Sequence, residues 1–210
     1  EILIGLVGSE MCIRDRSIFA WVRDTLWNPV LDVIMKYITL LGEGGMIWII
    51  FAVILICTKK YRKCGLMMGA ALLLMLVIND GILKNLIARP RPFNRFDPAD
   101  PAMFAVWKDF PFPEIVSRPS SFSFPSGHTS SSFAAALPML KTDKKIGIPA
   151  LVLAFLIGFS RIYVHVHYPT DVIVGAIAGL FYGWVGIVLV QKLEPIVKRW
   201  WAQRKARKAA

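Results

Sequence analysis

The chain has 210 residues, 56% of them hydrophobic, with a mean hydropathy of +0.55. Soluble domains are roughly 45–50% apolar, so this composition argues against a soluble core and for a membrane protein. The net charge of +11 does not indicate a nucleic-acid binder: the positive side chains gather in short runs beside apolar stretches, and no nucleic-acid motif accompanies them.

The first sixteen residues, EILIGLVGSEMCIRDR, place apolar residues ahead of charge, the reverse of a cleavable signal. They resemble a translated adapter peptide, and 1–16 is expected to be a non-native or disordered segment without function. A membrane-embedded domain is expected over 17–195, and a basic cytoplasmic tail over 196–210. Residues 17–29, SIFAWVRDTLWNP, set Phe19, Trp21 and Trp27 beside Arg23 and Asp24, the pattern of an amphipathic helix lying in the interface.

Apolar runs follow at about 30–41, 46–57, 66–86, 129–140, 146–163 and 172–190. Several fall short of the ~20 residues that cross a bilayer and must borrow flanking residues. The fold class expected is all-α: an integral membrane bundle of about six transmembrane helices behind a short N-terminal interfacial helix. The last run carries Gly175, Gly179 and Gly183 at intervals of four, a stripe that lets another helix approach closely. Cys12, Cys57 and Cys64 show no metal spacing, and the last two flank a basic loop expected to be cytoplasmic and reducing, which argues against a disulfide.

Orientation follows from Lys and Arg. The loops KKYRK (59–63) and KTDKK (141–145) and the tail KRWWAQRKARK (198–208) are basic and are expected in the cytoplasm. GEGG (42–45), the long segment 89–124 and HVHYPT (165–170) then face outward, and both termini lie inside. The outward segment holds Phe93, Phe96, Phe104, Trp107, Phe110 and Phe112, which suit either an interfacial belt or a lid over a lipid entry path.

That topology gathers three polar clusters at one face. KNLIARPRP (84–92) contributes Lys84, Arg89 and Arg91. SFPSGH supplies Ser126, placed for an N-cap, with Gly127 and His128 opening a helix of hydroxyl-bearing residues. SRIYVHVHYPTD (160–171) contributes Arg161, His165, His167 and Asp171. Guanidinium forks suit phosphate oxygens, and the first amides of a helix suit an anion. Asp171, four residues after His167, can reach back to the imidazole and leave its other nitrogen free as nucleophile or base. Extended backbone would turn His165 the same way as His167.

These residues resemble the type-2 phosphatidic acid phosphatases, or lipid phosphate phosphatases, which are related to the vanadium haloperoxidases. That family carries Lys-x6-Arg-Pro, Pro-Ser-Gly-His and Ser-Arg-x5-His-x3-Asp. Here these read Lys84 to Arg91-Pro92, Pro125-Ser126-Gly127-His128, and Ser160-Arg161 to His167 to Asp171, intact and in order. The resemblance implies His167 as nucleophile, Asp171 as its orienting partner and His128 as general acid and base. It further implies Lys84, Arg91, Ser126, Gly127 and Arg161 as phosphate ligands, with no metal and no other cofactor. The expected partner is a membrane lipid phosphate in the bilayer, not nucleic acid, and the expected place is the cell membrane with the site on the extracytoplasmic face.

Undecaprenyl diphosphate, phosphatidate and phosphatidylglycerophosphate remain open as substrates, the first favoured by analogy with compact family members. The rival readings are a phosphotransferase, a zinc hydrolase using His128, His165, His167 and Asp171, and a lipid carrier whose polar residues only bind the headgroup. His165 is expected to be structural or at the pocket rim, and Arg89 to be a headgroup contact or a second phosphate ligand. Oligomeric state is not legible.

Overall fold

The computed structural model describes residues 10–94 and 119–209. Most of the aromatic outward segment, including Phe96, Phe104, Trp107, Phe110 and Phe112, lies outside the described residues, as do 1–9. The described residues form helices and connecting turns, with no strand among them. Helix α1 spans Glu10–Leu26 and α2 spans Pro29–Leu41. Between them Asn28 caps α2, its Oδ1 accepting from the amides of Val30 (3.1 Å) and Leu31 (3.0 Å), with Pro29 in the first turn.

A short 3-10 turn, Glu43–Gly45, joins α2 to α3, Met46–Cys57. Helix α4 runs without a break over Arg62–Ile87, although Met75–Leu83 is wound as a π-helix. Helix α5 covers Gly127–Thr142, α6 covers Lys144–Tyr163 and α7 covers Pro169–Ala209. Asp143 caps α6 by accepting from the Lys145 amide at 2.9 Å.

Among the described residues α4, α6 and α7 are long and apolar enough to cross a membrane. Helices α2 and α3 were expected as two crossings, but they hold 13 and 12 residues. At about 1.5 Å per residue each is under 20 Å, short of the ~30 Å hydrocarbon core. They follow one another with a bend of 44° and qualify only as one broken element. By length and composition the described residues therefore hold three candidate spans, or four with the bent pair, where the apolar runs suggested about six. Helix α5, with 16 residues, is shorter than a full crossing.

Helix α5 sits in the middle of the bundle, because its side chains are small and its neighbours are notched. Ala134, Ala135 and Ala136 are fully buried. A Cβ at Gly175, Gly179 or Gly183 of α7 would lie 2.9 Å from the Ser126 carbonyl oxygen, 2.5 Å from that of Ser130 and 3.0 Å from that of Ala134. The glycine stripe thus packs α7 directly on the α5 backbone. On the other side the Trp48 indole of α3 donates to Ser132 Oγ at 2.9 Å, and Met68, Ala135 and Ile157 join α4, α5 and α6 in one core. The start of α5 is consequently surrounded by the end of α4, the end of α6, the start of α7 and the Glu43–Gly45 turn.

Candidate active site

Each element ending at this junction delivers a polar side chain. The π-helical stretch of α4 brings Asp80 and Lys84 onto one face, where Lys84 Nζ lies 2.6 Å from Asp80 Oδ1. A Cβ on Gly127 would stand 3.0 Å from both of these atoms, so glycine is what lets them meet the start of α5. Arg161, in the last turn of α6, is buried and donates to Thr39 Oγ1 of α2 at 2.6 Å. Its Nε is buried without an acceptor among the described residues. Buried guanidinium groups are ordinarily satisfied, so an orphaned donor here suits an anion.

The turn after α6 carries both remaining histidines, and it is not extended. His165 sits at φ 53, in the left-handed region, and its ring stacks on Phe19 of α1 with centroids 4.5 Å apart. Its Nδ1 lies 2.7 Å from the Tyr163 carbonyl oxygen. His167 turns the other way, into the junction. Arg91 Nη1 approaches His167 Nε2 at 3.2 Å while also donating to the Val166 carbonyl at 2.9 Å. A guanidinium only donates, so Nε2 holds a lone pair and Nδ1 carries the hydrogen, facing Asp171 Oδ2 at 3.5 Å. Burial, then the charges of Arg91 and Arg161, hold the His167 imidazole well below its ordinary value, so it is neutral near pH 7.

Asp171 stands behind this histidine. Its carboxylate accepts from the Ser123 hydroxyl, from the Tyr168 amide at 3.0 Å and from Arg89 Nη1 at 2.5 Å. Arg89 therefore braces Asp171 and does not line the cavity. It also lies over the Tyr168 ring at 3.9 Å and contacts Asp15 Oδ2 at 2.9 Å. Ser126 occupies the N-cap position but makes no side-chain capping bond. Instead its Oγ accepts from the Thr129 hydroxyl at 3.0 Å, and its amide donates to the Asp171 carbonyl at 3.1 Å.

Lys84, Arg91, Gly127, His128, Arg161 and His167 line one cavity of about 600 Å³, whereas Ser126 and Asp171 support its wall. Glu43 and Asp80, two carboxylates the sequence reading did not single out, line it as well. For Asp80 a signal existed, since it lies four residues before Lys84 on one helix. Glu43 shows only as an acid between apolar runs. Away from the charges the cavity continues along Ile49, Val53 and Ile56 of α3 and Leu72, Leu73 and Leu76 of α4. A zinc centre does not fit these residues: His165 points to Phe19, and no three His, Cys, Asp or Glu side chains converge as ligands among the described residues.

A model of the PAP2 superfamily matches residues 60–195, which include all three motifs. The chain belongs to the PAP2 superfamily. It is thereby a phosphatase, a hydrolase of phosphate esters. An undecaprenyl-diphosphatase of Sulfolobus acidocaldarius is 26% identical over 207 residues, covering 94% of this chain and 92% of that protein. Undecaprenyl-diphosphatase BcrC of Bacillus subtilis is 31% identical over 81% of this chain and 80% of its own length. The crystal structure of a PAP2-type phosphatidylglycerolphosphate phosphatase from Bacillus subtilis superposes with a TM-score of 0.66 at 26% identity, covering 91% of this chain and 92% of that one. This PAP2 chain and that enzyme therefore share the helical fold over nearly their whole lengths.

Proposed function

We propose that this protein hydrolyses the terminal phosphate of a membrane lipid phosphate or diphosphate through a phosphohistidine intermediate. The observation that carries the reading is a single cavity with two chemistries. Lys84, Arg91, Arg161 and the start of α5 make one end cationic, and aliphatic side chains of α3 and α4 make the rest apolar. A phosphate headgroup suits the first part and a lipid tail the second.

In the first half-reaction the His167 Nε2 lone pair attacks phosphorus, and the bond from phosphorus to the lipid oxygen breaks. His128 gives its proton to that oxygen. In the second, His128 takes a proton from water as the water oxygen displaces His167. Asp171 stabilises the charge that grows on the imidazole, and Lys84, Arg91, Arg161 and the Gly127 amide carry the charge on the phosphoryl oxygens. None of these steps uses a metal. Relatives are named for undecaprenyl diphosphate and for phosphatidylglycerophosphate; we place a polyprenyl diphosphate first and a glycerophospholipid phosphate second. A carrier would use the same cavity but would have no need of the His167–Asp171 pair.

We further propose that the bent pair α2–α3 crosses once, and that α4 to α7 cross four times, with α5 completed by residues preceding it. This replaces the six crossings and paired cytoplasmic termini suggested by the apolar runs. The basic loops and the 196–210 tail then face the cytoplasm, while α1 and the site share the outer face. The catalytic reading is tested by phosphate release from purified protein in detergent with excess EDTA, offering undecaprenyl diphosphate and phosphatidate separately. Metal-independent release that disappears in His167→Ala is expected, and release that survives without His167 would overturn the assignment.

A further inference from the structure

The break between α2 and α3 puts an ionisable side chain where an apolar span would be cheapest, and such residues are costly unless they serve the site. The turn is Gly42-Glu43-Gly44-Gly45, with Gly44 at φ 55 and Gly45 at φ 67, conformations that favour glycine. It is pressed onto His128: a Cβ on Gly42 would stand 2.8 Å from His128 Cδ2 and 2.7 Å from Ile157 Cγ2. Glu43 Oε2 lies 3.4 Å from His128 Nε2, an ion-pair distance, and both residues line the cavity. The register between turn and histidine is pinned from two sides. Trp48 of α3 donates to Ser132 Oγ, and Ser132 and Ser131 donate to the His128 carbonyl at 2.7 and 3.1 Å.

We propose that Glu43 is a positioning residue that holds the Nε2–H of His128 and so aims its Nδ1–H at the departing lipid oxygen. Lys84, Arg91 and Arg161 line the same cavity and press like charge on a protonated His128. Of the cavity's two carboxylates Asp80 is paired with Lys84, and Glu43 is the one at the imidazole. The carboxylate keeps the imidazolium in place without exchanging a proton. His128 loses its Nδ1 proton to the leaving oxygen as the phosphorus–oxygen bond breaks. It recovers that proton from water when the phosphohistidine is hydrolysed. The inference rests on the reading of His128 as general acid, and it adds a residue outside the three motifs.

Leaving-group chemistry separates this role from a structural one. An alkyl oxygen needs a proton to depart, whereas nitrophenolate does not. Phosphatidate turnover and the first-turnover burst of nitrophenolate from nitrophenyl phosphate are measured for wild type, Glu43→Gln and His128→Gln, with inorganic phosphate binding as a check on the pocket. For Glu43→Gln a loss in kcat of roughly 10- to 100-fold is expected with phosphatidate, at nearly unchanged KM and phosphate affinity. The nitrophenolate burst should keep about the wild-type rate. Equal loss with both esters, loss confined to KM, or no loss would overturn the role of Glu43. If His128→Gln itself lacks the selectivity for the alkyl ester, the general-acid reading fails, and the proposal with it. Selectivity in His128→Gln but not in Glu43→Gln sinks the proposal alone. Should Glu43→Gln not fold, Glu43→Asp, which keeps the charge but withdraws it, is expected to show the same selective loss at smaller size, and its absence overturns the proposal.

Discussion

Asp80 places a carboxylate beside Lys84 and Gly127, where a phosphate oxygen would also sit. In the proposed phosphate site it is a carboxylate among cations, and it would oppose a second negative charge there. Removing one like charge at a partly exposed site is worth about 1 kcal/mol, or roughly fivefold in binding. Asp80→Asn is therefore expected to tighten inhibition by inorganic phosphate by about that factor. A titration of phosphate release against added phosphate measures it, and weaker inhibition would mean that Asp80 instead serves to hold Lys84 in place. The arginines illustrate what spacing reveals and what it hides. Arg89 and Arg91 lie two residues apart in one motif, yet Arg91 reaches the Nε2 side of His167 while Arg89 braces Asp171 from behind. The sequence pointed to Arg91 as a phosphate ligand and left Arg89 between a headgroup contact and a second phosphate ligand. Ahead of both, Ala88 at φ 48 ends the helix, a reversal for which an alanine gives no warning.

At the scale of elements, the contact between α5 and α7 decides whether the site assembles. A methyl group at Gly179 would stand 2.5 Å from the Ser130 carbonyl oxygen and 2.9 Å from Phe133 Cβ, and backbone cannot yield as a flexible side chain does. Gly179→Ala is expected to destabilise by about 1–3 kcal/mol through overpacking and to shift Asp171, at the start of α7, away from His167. Thermal unfolding in detergent would record a lower midpoint. Gly81→Ala, whose Cβ meets only an ordinary contact at 3.6 Å, should leave it nearly unchanged. The stripe was legible because the period of four is a property of one helix alone. The π-helical winding of Met75–Leu83 was not, since its wide turn depends on neighbours such as Ser130, whose hydroxyl reaches Asn79 Oδ1 at 3.0 Å. The bend between the first two apolar runs was hidden for a related reason. Hydropathy marks where the chain is oily, but whether two runs reverse or continue is settled by the φ angles of GEGG.

For the molecule as a whole, the five crossings proposed above would put α1 and the tail of α7 on opposite faces. A membrane-impermeant maleimide tests this in a chain with Cys12, Cys57 and Cys64 replaced by alanine. A cysteine at Ser17 should label in intact cells, and one at Ala202 only after permeabilisation. Labelling of both only after permeabilisation would restore the even count that the apolar runs suggested. The convergence of the three motifs does not depend on that count. Their order along alternating spans already sent them to one face, and Lys84, His128, Arg161 and His167 meet there.

The cavity has its charged end buried in the bundle and its oily end flanked by α3 and α4, with Ile49, Val53, Leu73 and Leu76 exposed along it. A ligand entering between these helices never leaves the plane of the membrane. For such an enzyme the relevant concentration is two-dimensional. Diluting the micelles or vesicles with buffer should leave the rate per enzyme unchanged. Diluting the substrate with inert lipid should lower it, so saturation belongs on an axis of mole fraction rather than molarity.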